Sequence, residues 1–174
     1  MDLSKAKRGY FVGIGGVGVN ALAKFVADFG IQISGSDAKI NGLCNGLIKN
    51  GAKIGKIPDF FELENADFLV FSSAIPSDNP EIAKAREKDI PVFERHEFLA
   101  RVSNLFGQTV AIAGTHGKTT TTSMLTQIFM EAGKDPTVMI GGSLPLLGAG
   151  HRVGQGDTII LESCEYCNSF LNFF

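Results

Sequence analysis

The chain has 174 residues, 44% hydrophobic and 20% charged, with a formal net charge of −2. Such a composition can bury a core, which excludes global disorder, and its near-neutral balance leaves no basic footprint for nucleic acid. No apolar run reaches the ~18 residues of a membrane span and the stretch from Met1 to Arg8 is too polar to open a signal peptide, so a soluble cytoplasmic protein without a membrane segment is expected.

Tyr10-Phe11-Val12 reads as a short buried strand that empties into Gly13-Ile14-Gly15-Gly16-Val17-Gly18. A G-x-G-x-x-G pattern between strand and helix turns backbone N–H groups and the positive helix end toward a polyphosphate. Val19, Leu22, Ala23, Val26 and Phe29 recur at helical spacing, and Gly30 stops that helix. A second strand, Ile31 to Ser34, leads into Gly35-Ser36-Asp37, where Asp37 stands about where a ribose-binding acid follows such a fingerprint. Taken alone, this half admits three readings: NAD binding, a Rossmann-like β-α-β unit whose glycines serve packing, or another phosphate-bearing nucleotide.

Asn41 to Asn50 predicts a short helix closed by Gly51, and Ala52 to Ile54 a third strand. Asp67 to Phe71 is the clearest central strand of this half. It ends in Ser72-Ser73-Ala74-Ile75-Pro76, a polar pair at a carboxyl strand end, where open α/β sheets bind ligands and where serines also form turns. Glu81 to Lys88 predicts a charged helix, Pro91 to Phe93 a strand, and Glu94 to Val102 a helix in which His96 reads as a surface or packed side chain. The pattern then restarts, which puts a domain boundary near Asn104 to Gly107.

The apolar run Thr109 to Ala113 precedes Gly114-Thr115-His116-Gly117-Lys118-Thr119-Thr120, with a helix expected from near Thr119. Strand, glycine loop with one lysine, and helix make a phosphate cradle. Lys118 would neutralise the β/γ-phosphates and the Thr119 hydroxyl would ligate Mg2+. The general pattern asks for glycine five residues before Gly117, where this chain has Ile112, so the loop is a shortened variant. Met124, Leu125, Ile128 and Phe129 continue a helical stripe closed by Gly133, and Thr137 to Ile140 is strand-like. The glycine-rich segment from Gly141 to Gly156 reads as loop. Thr158 to Leu161 is a buried strand followed by Glu162, which by position reads equally as an ordinary strand-end acid or as the acid that helps hold Mg2+ in phosphate-loop enzymes. Cys164 and Cys167 form a C-x-x-C without a second ligand pair, and with Cys44 they read as free thiols of a reducing compartment.

Five stretches carry a family resemblance: Gly13 to Gly18, Ser34 to Asp37, Ser72 to Ile75 followed by Asn79-Pro80-Glu81-Ile82, Gly114 to Thr122, and Glu162 with Ser169-Phe170-Leu171. In order and spacing they resemble the Mur ligase family, and within it the branch that takes L-alanine. Gly-Thr-His-Gly-Lys followed by four threonines is the most specific piece. The resemblance implies an α/β protein. A Rossmann-like parallel-sheet domain, residues 1–106, would hold the UDP end of a sugar nucleotide, followed by the beginning of a P-loop ATPase α/β domain, residues 107–174.

By the same resemblance, Gly15, Gly16 and Gly18 approach the UDP diphosphate, with Asp37, Ser72 and Ser73 toward the uridine. Gly114, Thr115, His116, Gly117, Lys118, Thr119 and Thr120 bind ATP, Lys118 being the catalytic cation, and Thr119 and Glu162 hold Mg2+. The implied reaction belongs to peptidoglycan precursor synthesis: ATP phosphorylates the lactyl carboxylate of UDP-N-acetylmuramate, and the amine of L-alanine attacks the acyl phosphate. No obligatory protein partner is implied. Because the sequence stops at Phe174, a fragment is expected that does not form the amide bond itself, and whose second half, lacking sheet partners for its apolar strands, is less stable or self-associating.

Overall fold

The computed structural model describes residues 3–144 and 149–163. Cys164, Glu165, Cys167 and the Ser169 to Leu171 stretch lie outside them. The chain divides into two compact units, Met1–Phe98 and Leu99–Phe174.

In the first unit five strands form one all-parallel sheet: β1 Arg8–Val12, β2 Gln32–Ser36, β3 Lys53–Gly55, β4 Phe68–Phe71 and β5 Val92–Glu94, in the order β3-β2-β1-β4-β5. β1 is central because its side chains are apolar on both faces. Tyr10 and Val12 pack with Leu63, Leu69, Ile82 and Ala85 on one side. On the other, Phe11 meets Phe68 edge-on at 6.0 Å and Phe98 at 6.5 Å, and Phe68 stacks on Phe98 at 4.7 Å. Each such ring contributes about 1.5–3 kcal/mol by leaving water. Helix α1, Val17–Asp28, crosses from β1 to β2 and buries Val19, Leu22, Ala23, Phe25 and Val26. Phe29 lies just past its end, half-exposed, against Phe25.

The predicted helix from Asn41 to Asn50 is a short 3-10 turn, Gly42–Cys44, running into α2, Asn45–Lys49. Helix α3, Phe60–Glu64, was not predicted. Asp59 caps it, accepting from the N–H groups of Phe61 and Glu62 at 3.1 Å each, and this Asp-x-x-Glu start is a capping signature that the short apolar pattern around it obscured. Helix α4, Pro80–Glu87, starts with proline in its first turn and Asn79 as cap, and α5 spans Arg95–Ser103.

The second unit holds β6 Gln108–Ile112, β7 Thr137–Leu144, β8 Ala149–Arg152 and β9 Thr158–Glu162, ordered β6-β9-β7-β8, with helix α6, Lys118–Glu131, between β6 and β7. β9 is parallel to both β6 and β7, while β8 is antiparallel to β7. The expected loop from Gly141 to Gly156 is therefore corrected: β7 continues to Leu144 and β8 returns beside it. Side-chain anchoring substitutes for strand propensity here. Arg152 donates to the Asp135 carboxylate and to the Pro136 carbonyl (2.7 Å), while the Asp135 carboxylate also accepts from Gln155 N–H at 2.7 Å. Of the apolar strands expected to lack partners, β9 has a neighbour on each side within its own unit, whereas β6 stands at one edge of the described sheet. Among the described residues no helix is long and apolar enough to cross a membrane.

Candidate functional site

Two glycine loops leave carboxyl strand ends, one in each unit. In the first, Gly13 takes a left-handed φ of +76°, and the N–H groups of Gly13 and Ile14 donate to the Ser36 carbonyl at 2.8 and 3.2 Å. The loop closes on itself through Gly16 N–H to Gly13 C=O, 3.0 Å. Gly16 is the N-cap of α1, and no side chain caps the helix. The N–H groups of Val17, Gly18 and Val19 thus have no acceptor within the helix, which makes that end receptive to an anion.

Side chains brace this loop from beneath. Asp37 accepts from Gly15 N–H at 2.8 Å with one oxygen and from Lys39 N–H at 2.7 Å with the other. Asn41 donates to the Gly15 carbonyl at 2.9 Å, and the buried Asn20 to the Ile14 carbonyl at 3.1 Å. Ser72 stands at the end of β4 next to Gly13; its hydroxyl accepts from Ala74 N–H at 3.3 Å, and Ser73 is exposed. Gly15, Gly16, Gly18, Asp37 and Ser72 therefore converge on the carboxyl ends of β1, β2 and β4.

Arg95 joins them from the first turn of α5. Its Cδ and Nε lie 3.2 Å from where a Cβ on Gly18 would sit, so the arginine stem packs against the uncapped end of α1. The sequence prediction overlooked Arg95, Asn20 and Asn41. Arg95 had a signal, since it directly follows a strand at its carboxyl end, and so did Asn20, a polar residue inside an apolar helical stripe. Asn41 had none. His96 is partly buried, with Nδ1 3.0 Å from the Glu94 carboxylate.

The second loop follows β6. Gly117 is the N-cap of α6 at φ +77°, a left-handed conformation suited to glycine. The helix begins at Lys118, one residue before expectation. Lys118 folds back so that its amine donates to the Gly114 carbonyl. Thr115, His116, Thr119 and Thr120 are exposed, and Gly114 and Lys118 are half-buried. Glu162 is the register partner of Ile112, so acid and loop issue from neighbouring strand ends. Ser163 N–H extends that pairing to the Ile112 carbonyl at 3.0 Å.

Two hydroxyls in this unit, Thr122 Oγ1 and Ser163 Oγ, are buried without a hydrogen-bond partner among the described residues. Buried polar atoms ordinarily have one, so these oxygens leave hydrogen-bonding capacity in α6 and immediately after Glu162. The donor set of Thr119 and Glu162 is all hard oxygen, which suits Mg2+. No group of three or more His, Cys, Asp or Glu among the described residues could hold a metal, so such an ion would need phosphate oxygens and water to complete its shell, as Mg2+ habitually does.

A parallel sheet with an uncapped glycine-loop helix, followed by a lysine-bearing glycine loop between strand and helix, defines an α/β protein with two strand-loop-helix anion cradles in outline. Residues 9–106 match the model of the Mur ligase family, catalytic domain, and the chain belongs to that family. It is 45% identical over 170 residues to UDP-N-acetylmuramate--L-alanine ligase of Clostridium perfringens, covering 97% of this chain and 37% of that protein. Among solved structures it is similar to UDP-N-acetylmuramate-alanine ligase from Thermotoga maritima, with a TM-score of 0.78 and 26% identity over 97% of this chain and 45% of that one. It is also similar to UDP-N-acetylmuramate:L-alanyl-gamma-D-glutamyl-meso-diaminopimelate ligase from Neisseria meningitides, with a TM-score of 0.80 and 26% identity over 92% and 53%. The chain spans a little over a third of the length of the curated relatives it matches, 37% for the first.

Proposed function

We propose that the protein to which these residues belong is a cytoplasmic ATP-dependent ligase that joins L-alanine to UDP-N-acetylmuramate. The observation that carries the reading is the Gly114 to Lys118 loop between β6 and α6, with Glu162 on the adjoining strand end. The first unit takes the UDP end. Its diphosphate meets the open N–H groups of Val17 to Val19, with Gly15, Gly16 and Gly18 admitting close approach. Asp37, Ser72 and Ser73 face the uridine side, Asp37 through the lone pairs not engaged by Gly15 and Lys39.

The second unit takes ATP, through the N–H groups of Gly114 to Thr120. A carboxylate approaching a γ-phosphate is repelled by it, and the site must set positive charge there to let the two meet. Lys118 supplies it by exchanging the Gly114 carbonyl for phosphate oxygens, while the α6 N-terminus adds its dipole. Thr119 and Glu162 would hold Mg2+, which when bound contributes further positive charge against the phosphates. The lactyl carboxylate oxygen bonds to the γ-phosphorus as the bond to the ADP oxygen breaks. The alanine amine then bonds to the acyl carbon, phosphate leaves, and the nitrogen gives up its proton.

The test is ADP release by the full-length protein that requires both UDP-N-acetylmuramate and L-alanine together. Release with an L-alanyl peptide but not with L-alanine would overturn it in favour of a peptide-attaching ligase. That second reading has its own support, in the equally good superposition on the Neisseria meningitides structure, but the 45% identity to the Clostridium perfringens protein favours the amino acid. For the chain as it stands, UDP and ATP should each bind; tight NADH binding with no response to UDP would overturn the assignment of the first unit.

A further inference from the structure

We infer that Glu81 is a positioning residue for the anion-binding glycine loop, acting through Ser36. Glu81 lies in the first turn of α4, 3% exposed. One carboxylate oxygen accepts from Tyr10 Oη at 2.8 Å and from Ser36 Oγ at 2.6 Å, bonds that span 71 and 45 residues of sequence. No lysine or arginine among the described residues pairs with it. Burying a carboxylate without a counterion is costly, and an apolar side chain of similar size would pack there more cheaply. The position therefore calls for a reason other than core stability.

Ser36 supplies one. Its hydroxyl is held by Glu81, while its carbonyl accepts the N–H groups of Gly13 and Ile14 at the mouth of the loop, 2.8 and 3.2 Å. The next residue, Asp37, holds Gly15 N–H at 2.8 Å. Three consecutive loop amides thus depend on where the end of β2 stands, and Glu81 fixes that end from the opposite side. Ionised, the carboxylate is purely an acceptor, so both hydroxyls must act as donors and Ser36 has a single hydroxyl orientation. The 2.6 Å separation is in the range of a charge-assisted O–H···O bond. The helix end of α4 adds favourable dipole charge, with Asn79 taking Glu81 N–H at 2.8 Å. Tyr10 is the third member, and its oxygen also accepts from Asp59 N–H at 3.2 Å, tying the start of α3 to the same point.

This inference rests on the reading of the first unit as a sugar-nucleotide site, and the test separates the two. On the 174-residue chain, UDP affinity is measured by calorimetry and amide exchange at Gly13 and Ile14 by NMR, for Glu81→Gln, Ser36→Ala, the double variant and Tyr10→Phe. Glu81→Gln should weaken UDP roughly tenfold and speed both amides by at least as much. Ser36→Ala should do the same, and the double variant should lose no more than either single one, because both break one link. Tyr10→Phe, which leaves the Ser36 bond in place, should leave the two amides near wild type. Independent, multiplying losses in the double variant, or unchanged loop exchange in Glu81→Gln, would overturn the inference. If Glu81→Gln fails to fold, Ser36→Ala alone decides it through the same two readouts. A wild-type chain that ignores UDP sinks the site reading, while the exchange rates still decide the positioning role.

Discussion

The three glycines expected at the diphosphate differ in what surrounds them, and replacing each by alanine should separate structural from binding roles. At Gly15 a Cβ would stand 2.7 Å from the Lys39 carbonyl oxygen and 2.9 Å from Asp37 Oδ2. The first obstacle is backbone, so the loop must move and the Gly15 N–H bond to Asp37 is lost. A hydrogen bond to a charged group is worth about 1.5–3 kcal/mol and overpacking costs about 1–3, so Gly15→Ala should destabilise by roughly 3–5 kcal/mol. At Gly16 the nearest atom is the Gly13 carbonyl oxygen at 3.3 Å, and alanine is a poorer N-cap than glycine, for a loss of about 1 kcal/mol. At Gly18 the obstacle is the Arg95 side chain at 3.2 Å, which can swing away, and alanine in a helical turn gains about 0.8–1 kcal/mol over glycine. Gly18→Ala should be neutral or slightly stabilising.

Binding should follow a different order. Gly18→Ala pushes the Arg95 guanidinium off the α1 N-terminus, so it and Arg95→Ala should both weaken UDP, by about 10–100-fold where a guanidinium–phosphate contact is lost outright. The chain has no tryptophan, so urea unfolding is best followed by circular dichroism, with hydrogen exchange of the β1 peptides assigning the first unit's transition. If Gly15→Ala unfolds at the wild-type midpoint, or Gly18→Ala falls as far as Gly15→Ala, the steric reasoning is refuted.

Lys118→Met keeps the stem and removes the charge; ATP affinity should fall by about 100-fold with UDP affinity unchanged, as calorimetry with each nucleotide would reveal. The Arg152 hydrogen bond, then that of Gln155 N–H, holds the Asp135 carboxyl below its ordinary pKa, so its contribution to the second unit is complete above the usual aspartate range and is lost as pH falls through the lowered value. Asp135→Asn should flatten that part of an acid-unfolding profile, and a profile identical to wild type would count against the clasp. Burial foremost, then the neighbouring Glu81 charge, raises the Tyr10 phenol above its ordinary value. The stability this represents is complete below about pH 10 and is lost as pH climbs from there through the raised folded value. Absorbance at 295 nm in a Tyr166→Phe background should therefore show no phenolate until the first unit unfolds.

Most of the first sheet was legible because its strands are buried on both faces, and runs such as Tyr10 to Val12 and Phe68 to Phe71 leave little choice of state. The helices with a glycine stop were legible for the same local reason. What escaped was set by single side chains and not by a run of apolar residues. Helix α3 has one turn of apolar pattern and rests on its Asp59 cap. Strand β8, Ala-Gly-His-Arg, has no strand propensity to speak of and is held by Arg152 reaching Asp135, two residues before β7 begins. A window centred on β8 does not contain Asp135, whereas the Asp59 cap adjoins α3 and could have been read from its Asp-x-x-Glu start.

The glycine fingerprint shows the same limit at the level of function. From sequence, Asp37 counted toward a ribose because it stood at the right distance after Gly18, and that spacing is common to NAD and UDP readings. The fold gives the acid a task that depends on neither ligand, since each of its oxygens takes an N–H of the protein, one from Gly15 of the glycine loop and one from Lys39. An acid that braces the glycine loop would do so whichever nucleotide were bound, so its presence does not discriminate between them. Discrimination falls instead to groups outside the fingerprint. Arg95 stands at the uncapped start of α1, where it would meet a diphosphate that both readings share, so contacts on the base side and not Arg95 would have to tell them apart, while the Asp37 to Asn41 turn is pinned to Gly15 at both its N–H and its carbonyl.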